Sequence, residues 1–157
     1  LSAIYIAESL IMQNMKAESK EDVLNQMAQN LYDQGFVKKS YIQAVIDREH
    51  IHATGLPTKG PSVAIPHTDK EHVHRKTLSL GILEQPVDFG VMGEAEATTP
   101  VEVVFMLAMD SEDSQLSLLQ ELMAIFQDEE KLNFFNSEPS KVKLVEALNT
   151  YLQGDDS

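Results

Sequence analysis

Cysteine is absent from the 157-residue chain. Disulfides, thiolate metal sites and a cysteine nucleophile are therefore excluded. Basic residues are scarce: 12 Lys and Arg stand against 25 Asp and Glu, a formal net charge of −13. A protein that grips a phosphate backbone needs a basic surface, so nucleic acid is not an expected partner, and anionic membrane surfaces are disfavoured. Such a charge suits a solvated, self-repelling surface. No apolar run approaches the ~18–20 residues of a membrane span, so direct membrane insertion is not expected. The opening stretch LSAIYIAESLIMQNMK has neither a basic leader nor a clear small-residue cleavage site and reads as part of the fold. A cytoplasmic location fits these absences. No G-x-x-x-x-G-K-[ST] loop and no G-x-S-x-G elbow occurs; GLPTKG has the wrong spacing and no strand before it.

Internal repeats, low-complexity segments and Gly/Ser linkers are missing too. One domain over residues 1–152 is expected, with residues 153–157, QGDDS, as a disordered tail.

What is present alternates between two periods. Ser9 to Ala17 is short and apolar and suits an edge strand. A helix is expected from Ser19, an N-cap residue followed by Glu21 and Asp22, to Gly35, with Val23, Leu24, Met27, Leu31 and Tyr32 at helical spacing. A second follows from Ser40, where Ser40 and Gln43 read as a capping box and Ile42, Val45 and Ile46 as an apolar face. Ala53 to Pro61 is loop by its Gly and Pro content. SVAIP and TLSLGIL are short strands, PVDFGVMGEAEATTP a turn-rich connection with a hairpin-like glycine spacing, and VEVVFMLAM a central strand covered on both faces. Three more helices close the chain; the first, from Ser111, carries Leu116, Leu119, Leu122, Met123 and Phe126 as its stripe. Helices before, between and after buried strands give an α/β domain: a mixed sheet of about five strands sandwiched between helices.

Three of the five histidines fall within eight residues, in PHTDKEHVH. His67 follows VAIP, at the C-terminal end of a buried strand, where functional groups gather in open α/β sheets. Pro66 stiffens the backbone on which it stands. Three readings are open. His67 is a nucleophile, or a strand-end histidine bonded to a backbone carbonyl, or one ligand of a metal with His72 and His74. Asp69 and Glu71 make the last segment look like a solvated loop, and no metal-binding helical spacing is present. Arg48 at a helix end offers a planar fork suited to phosphate, and Thr54 a hydroxyl beside a glycine. If the loop between them folds over His67, the three could hold a phosphoryl group on the ring. The alternative for Arg48 is a pair with Glu49 or Asp47. His50 and His52 read as surface residues at a helix end.

RE, then T-G, then AIPH, then an apolar strand and an L-x-L-L-x-x-L helix together resemble the IIA component of the bacterial phosphoenolpyruvate:sugar phosphotransferase system, of the fructose–mannitol type. The likeness runs from Ser19 to Leu148. It implies a phosphotransferase in which His67 accepts a phosphoryl group from the carrier HPr and passes it to a cysteine thiolate on a IIB component, the IIC permease being served indirectly. It implies that Arg48 and Thr54 bind the phosphoryl group, with no cofactor and no metal. Many relatives have a second histidine where this chain has Gln115, a departure that resembles the galactitol-specific subgroup. Some relatives of this kind are regulatory, acting by protein binding.

Overall fold

The computed structural model describes residues 4–152; the expected tail lies outside them. Five strands and five α-helices follow one another: β1 (Ile11–Met15), α1 (Lys20–Asp33), α2 (Ser40–Ile51), β2 (Gly55–Leu56), β3 (Ser62–Ala64), β4 (Thr77–Val91), β5 (Glu94–Ala108), α3 (Glu112–Phe126), α4 (Glu129–Ser137) and α5 (Lys141–Tyr151). They form one mixed sheet. β4 pairs with β1 in parallel and with β5 antiparallel, while β5 pairs with β3 in parallel. β2 lies antiparallel to β3 and touches the far end of β4 where Gly55 meets Val91.

Alternation along β5 explains why the sheet is covered on both sides. Val103, Phe105 and Leu107 pack with Val63 and Ile65 against Leu118, Leu122, Phe135 and Leu144 of α3, α4 and α5. Val104, Met106 and Ala108 pack with Ala64 against Val23, Met27, Leu31, Tyr41 and Val45 of α1 and α2. A strand buried on both faces has no polar side to show, hence the continuous apolar run. Gly81 of β4 faces the α1 layer, and a Cβ there would sit 2.8 Å from the Met27 sulfur, so glycine lets that helix approach.

Five local expectations are adjusted. The hairpin-like glycine spacing of PVDFGVMGEAEATTP marks a real hairpin, but the segment is mostly strand and not turn: β4 and β5 run through it, pairing Val87 with Val101 and Phe89 with Thr99. Only Met92 and Gly93 turn, with Gly93 at φ +79°. Val87, Phe89 and Val91 are buried and alternate with more accessible residues, a period-two signal outweighed by the glycine count. The Ser40–Gln43 capping box does not form: Ser40 is the first helical residue, its hydroxyl bonds the His72 ring at 2.8 Å, and Gln43 donates to Asp47. On α3 the buried stripe is Leu118, Leu122, Ile125 and Phe126, which leaves Leu116 60% exposed and Met123 at the surface. On α1, Tyr32 is likewise turned outward, while Ala28 is buried in the stripe. Finally, β2 lies inside the segment expected to be loop, its pairing with β3 drawn from backbone groups that composition does not report.

Candidate functional site

β3 ends at Ala64, yet its backbone stays engaged: Ile65 N–H reaches Thr54, and the Pro66 carbonyl accepts from Leu107 N–H at 3.0 Å. His67 therefore stands just past the end of β3, beside the end of β5. His67 is 7% exposed. Its Nδ1 lies 2.8 Å from the Ile65 carbonyl oxygen. A carbonyl only accepts, so Nδ1 carries the proton and Nε2 is left with the lone pair. Burial holds the ring below the usual histidine range, and the charge of Arg48 adds to that; the Ile65 bond and Asp69 pull the other way. The result is a neutral imidazole with a set tautomer whose Nε2 carries the lone pair.

Arg48 sits in the last turn of α2, half-buried, and its charge is felt at His67. Neither neighbouring acid pairs with it. Asp47 accepts from Gln43, and Glu49 turns inward to Thr54. The Arg48 Nε is buried with no hydrogen-bond partner. A buried donor left unmet costs about 1–3 kcal/mol, so this nitrogen is a cost that the fold carries.

Thr54 is 3% exposed and fully engaged. Its N–H donates to Glu49 Oε2 at 2.7 Å and its hydroxyl to Glu49 Oε1 at 2.8 Å, while Oγ1 accepts from Ile65 N–H at 3.2 Å. It reaches the site through Ile65 rather than by a free hydroxyl proton. The glycine after it is required by crowding: a Cβ on Gly55 would lie 2.5 Å from the Gly90 carbonyl oxygen. That contact explains the T-G pair physically.

Gln115 lies in the first turn of α3, which rises from the same sheet edge three residues after β5 ends. It is half-buried and precedes Leu118 by three positions, so it extends the buried stripe toward that edge. The other histidines go elsewhere. His72 bonds Ser40, and His50 pairs with Glu21 at 2.6 Å, which lowers the Glu21 pKa. His74 donates its backbone N–H to Phe36. Among the described residues no three His, Asp or Glu side chains converge as a metal site would require, and no helix is long and apolar enough to cross a membrane.

Sequence reading named Glu49 only as a possible partner of Arg48, not as part of the site. Its signal was periodicity: Tyr41, Val45 and Glu49 recur every four positions, and all three are buried. A carboxylate on a buried stripe needs donors, and Thr54 supplies two.

Fold and site define an α/β domain that presents one neutral, tautomer-fixed histidine at a strand end, next to an unpaired arginine. The family described as phosphoenolpyruvate-dependent sugar phosphotransferase system, EIIA 2, matches residues 4–151, and the chain belongs to it. It is 28% identical to the mannitol-specific phosphotransferase enzyme IIA component of Bacillus subtilis over 147 residues, 92% of this chain and 96% of that protein. It is 29% identical over 126 residues to the transcriptional regulator ManR of the same organism, 75% of this chain but only 18% of ManR. Among solved structures, the complex of mannitol enzyme IIA and phosphorylated enzyme IIB from Escherichia coli shares the fold, with a TM-score of 0.72 at 22% identity over 96% of this chain and 98% of that one.

Proposed function

We propose that this chain is a cytoplasmic phosphohistidine carrier that takes a phosphoryl group from HPr onto His67 Nε2 and hands it to a IIB component. The observation that carries the reading is the pairing of a lone-pair Nε2, fixed by the Nδ1–Ile65 bond, with the partnerless Arg48 Nε. The Nε2 lone pair attacks phosphorus in line; the N–P bond of the donor phosphohistidine breaks as the new one forms. The attacking nitrogen has no proton to lose, so no general base is needed. Phosphoryl transfer passes through a loose transition state, and the protein contributes chiefly position and charge. Arg48 meets the equatorial oxygens, and Gln115 adds a neutral amide toward the ring or the phosphoryl group. Onward transfer moves phosphorus from Nε2 to a partner thiolate; this chain has no cysteine, so that sulfur belongs to another protein. The IIC permease is served indirectly.

The transported solute is proposed to be a hexitol of the mannitol kind, following the relatives. The galactitol reading rests on Gln115 alone, and none of the relatives named above supports it. Likeness to ManR favours a second reading: the same histidine phosphorylated, with the output a change in binding to a target protein.

Incubation with phosphoenolpyruvate, enzyme I and HPr is expected to place one acid-labile phosphate on His67 and none on His67→Ala. Label on His72 or His74 would sink the assignment. Discharge onto mannitol or galactitol IIB then separates the solutes, and stable phosphorylation with no discharge onto either favours regulation.

A further inference from the structure

The carboxylate of Glu49 is 3% exposed and both of its oxygens are spent on one residue. Such a group is costly to bury: desolvation raises its pKa, against the Thr54 bonds that lower it. It sits one position beyond Arg48, and it is the buried one of the two, bonded to Thr54. What the carboxylate achieves is legible from the bonds it begins. By taking the Thr54 hydroxyl proton it turns an Oγ1 lone pair toward Ile65 N–H, 3.2 Å away. By taking the Thr54 N–H it holds the backbone whose carbonyl also faces that N–H, at 3.4 Å. The same Ile65 then presents its carbonyl to His67 Nδ1–H at 2.8 Å.

We propose that Glu49 is a positioning residue for phosphoryl transfer: through Thr54 it fixes the Ile65 backbone, which in turn holds the His67 ring as the Nδ1–H tautomer with Nε2 free to attack. The inference rests on the carrier reading above and assigns a part to a residue that never touches the phosphoryl group. Its effect is one of place, exerted through its two bonds to Thr54. A carboxylate is the fitting group here, because Thr54 offers two donors to one side chain. A glutamine of the same shape meets one of them with its own N–H, so one bond must reverse. Thr54 Oγ1 then receives two donors, and its proton is released toward other acceptors.

Glu49→Gln decides the matter with two readouts. In 15N-labelled wild-type protein, long-range 1H–15N spectra should show one protonated Nδ1 and one bare Nε2 for His67 at neutral pH. In Glu49→Gln the two nitrogen shifts should move toward each other as the tautomers mix, and transfer from HPr should fall about 10–100-fold, the range seen when a partner that orients a histidine is removed. A folded variant with wild-type nitrogen shifts and wild-type rate overturns the proposal, and so does one that only melts earlier while its shifts stay put. Where Glu49→Gln does not fold, Thr54→Val, which removes the Oγ1 acceptor but preserves the shape, decides in its place by the same two readouts. Failure of the wild-type protein to take phosphate on His67 would count against the carrier reading instead, and the nitrogen shifts would still report whether Glu49 sets the ring.

Discussion

The Tyr41 hydroxyl donates to the Leu107 carbonyl at 2.6 Å in the α1–α2 face of the core, tying the start of α2 to the end of β5. Leu107 N–H in turn holds the Pro66 carbonyl, one residue before His67. The helix that carries Arg48 is thus tied to the strand end that carries the histidine. Burial drives the phenol pKa far above its ordinary value, so it remains a donor at any working pH. Tyr41→Phe leaves the Leu107 carbonyl without this donor. We expect a loss of about 1–3 kcal/mol of stability, read as a lower urea midpoint, and a modest drop in transfer rate. An unchanged midpoint would mean that the tie carries no net energy.

Arg48→Lys preserves a positive charge and removes the planar fork. The partnerless Nε is then gone, so the fold loses an unmet donor and should hold its stability. Transfer from HPr is expected to fall about 10–100-fold. A transfer rate equal to wild type, or an unfolding defect of several kcal/mol, would assign Arg48 to structure instead.

The helices and the central strands were legible in sequence because each obeys one period, and the doubly covered half of β5 announced itself by its unbroken apolar run; β2 and the hairpin end of β4 and β5 were not. What escaped was orientation. Leu116 was placed in the stripe of α3 and Leu118 was not, and only the packed sheet decides that Leu118 is buried and Leu116 is not. The site divided in the same way. A strand-end histidine after proline and an arginine at a helix end were visible, but the carbonyl that fixes the tautomer belongs to Ile65, whose side chain gives no hint of it. Glu49 escaped because an acid beside an arginine invites the reading of an ion pair. Its true partner, five residues on, is chosen by the fold of the loop.

Stability should carry the mark of His67 below neutral pH. Its folded pKa is lowered from the ordinary value, first by burial and then by Arg48. Above pH ~6.5 the ring is neutral in both folded and unfolded chains and contributes nothing. As pH falls through ~6.5, the unfolded chain takes a proton that the folded one resists, so stability drops toward acid. Glu49 works in the opposite sense: its raised pKa means the folded state gains as pH falls toward the carboxylate range. That contribution is common to wild type and a His67→Gln variant and cancels in their difference. The variant should therefore lose less stability than wild type between pH ~7 and ~5, measured as urea midpoints at stepped pH. Parallel curves would show that the ring titrates as an ordinary histidine.

The proposed role of Gln115 at His67 is open to test by substitution. The exposed Leu116 does not steer it; the buried Leu118 and Leu122 do, three and seven positions on along the same stripe of α3. A neutral amide there can donate to a phosphoryl oxygen or accept from a ring, and it does not titrate. Its contribution should be that of one hydrogen bond, roughly 0.5–1.5 kcal/mol, so Gln115→Ala is expected to slow transfer about two- to tenfold and leave phosphorylation on His67. Gln115→His should be tolerated, since imidazole offers the same donor and acceptor functions at similar reach. It should also add an ionisation near pH ~6–7 to the rate profile, absent from the wild-type curve, because the new ring would be cationic and attractive to the incoming phosphoryl group only on the acid side. Rates for both variants equal to wild type across that pH range would remove Gln115 from the site, and with it the one residue on which a galactitol preference rests.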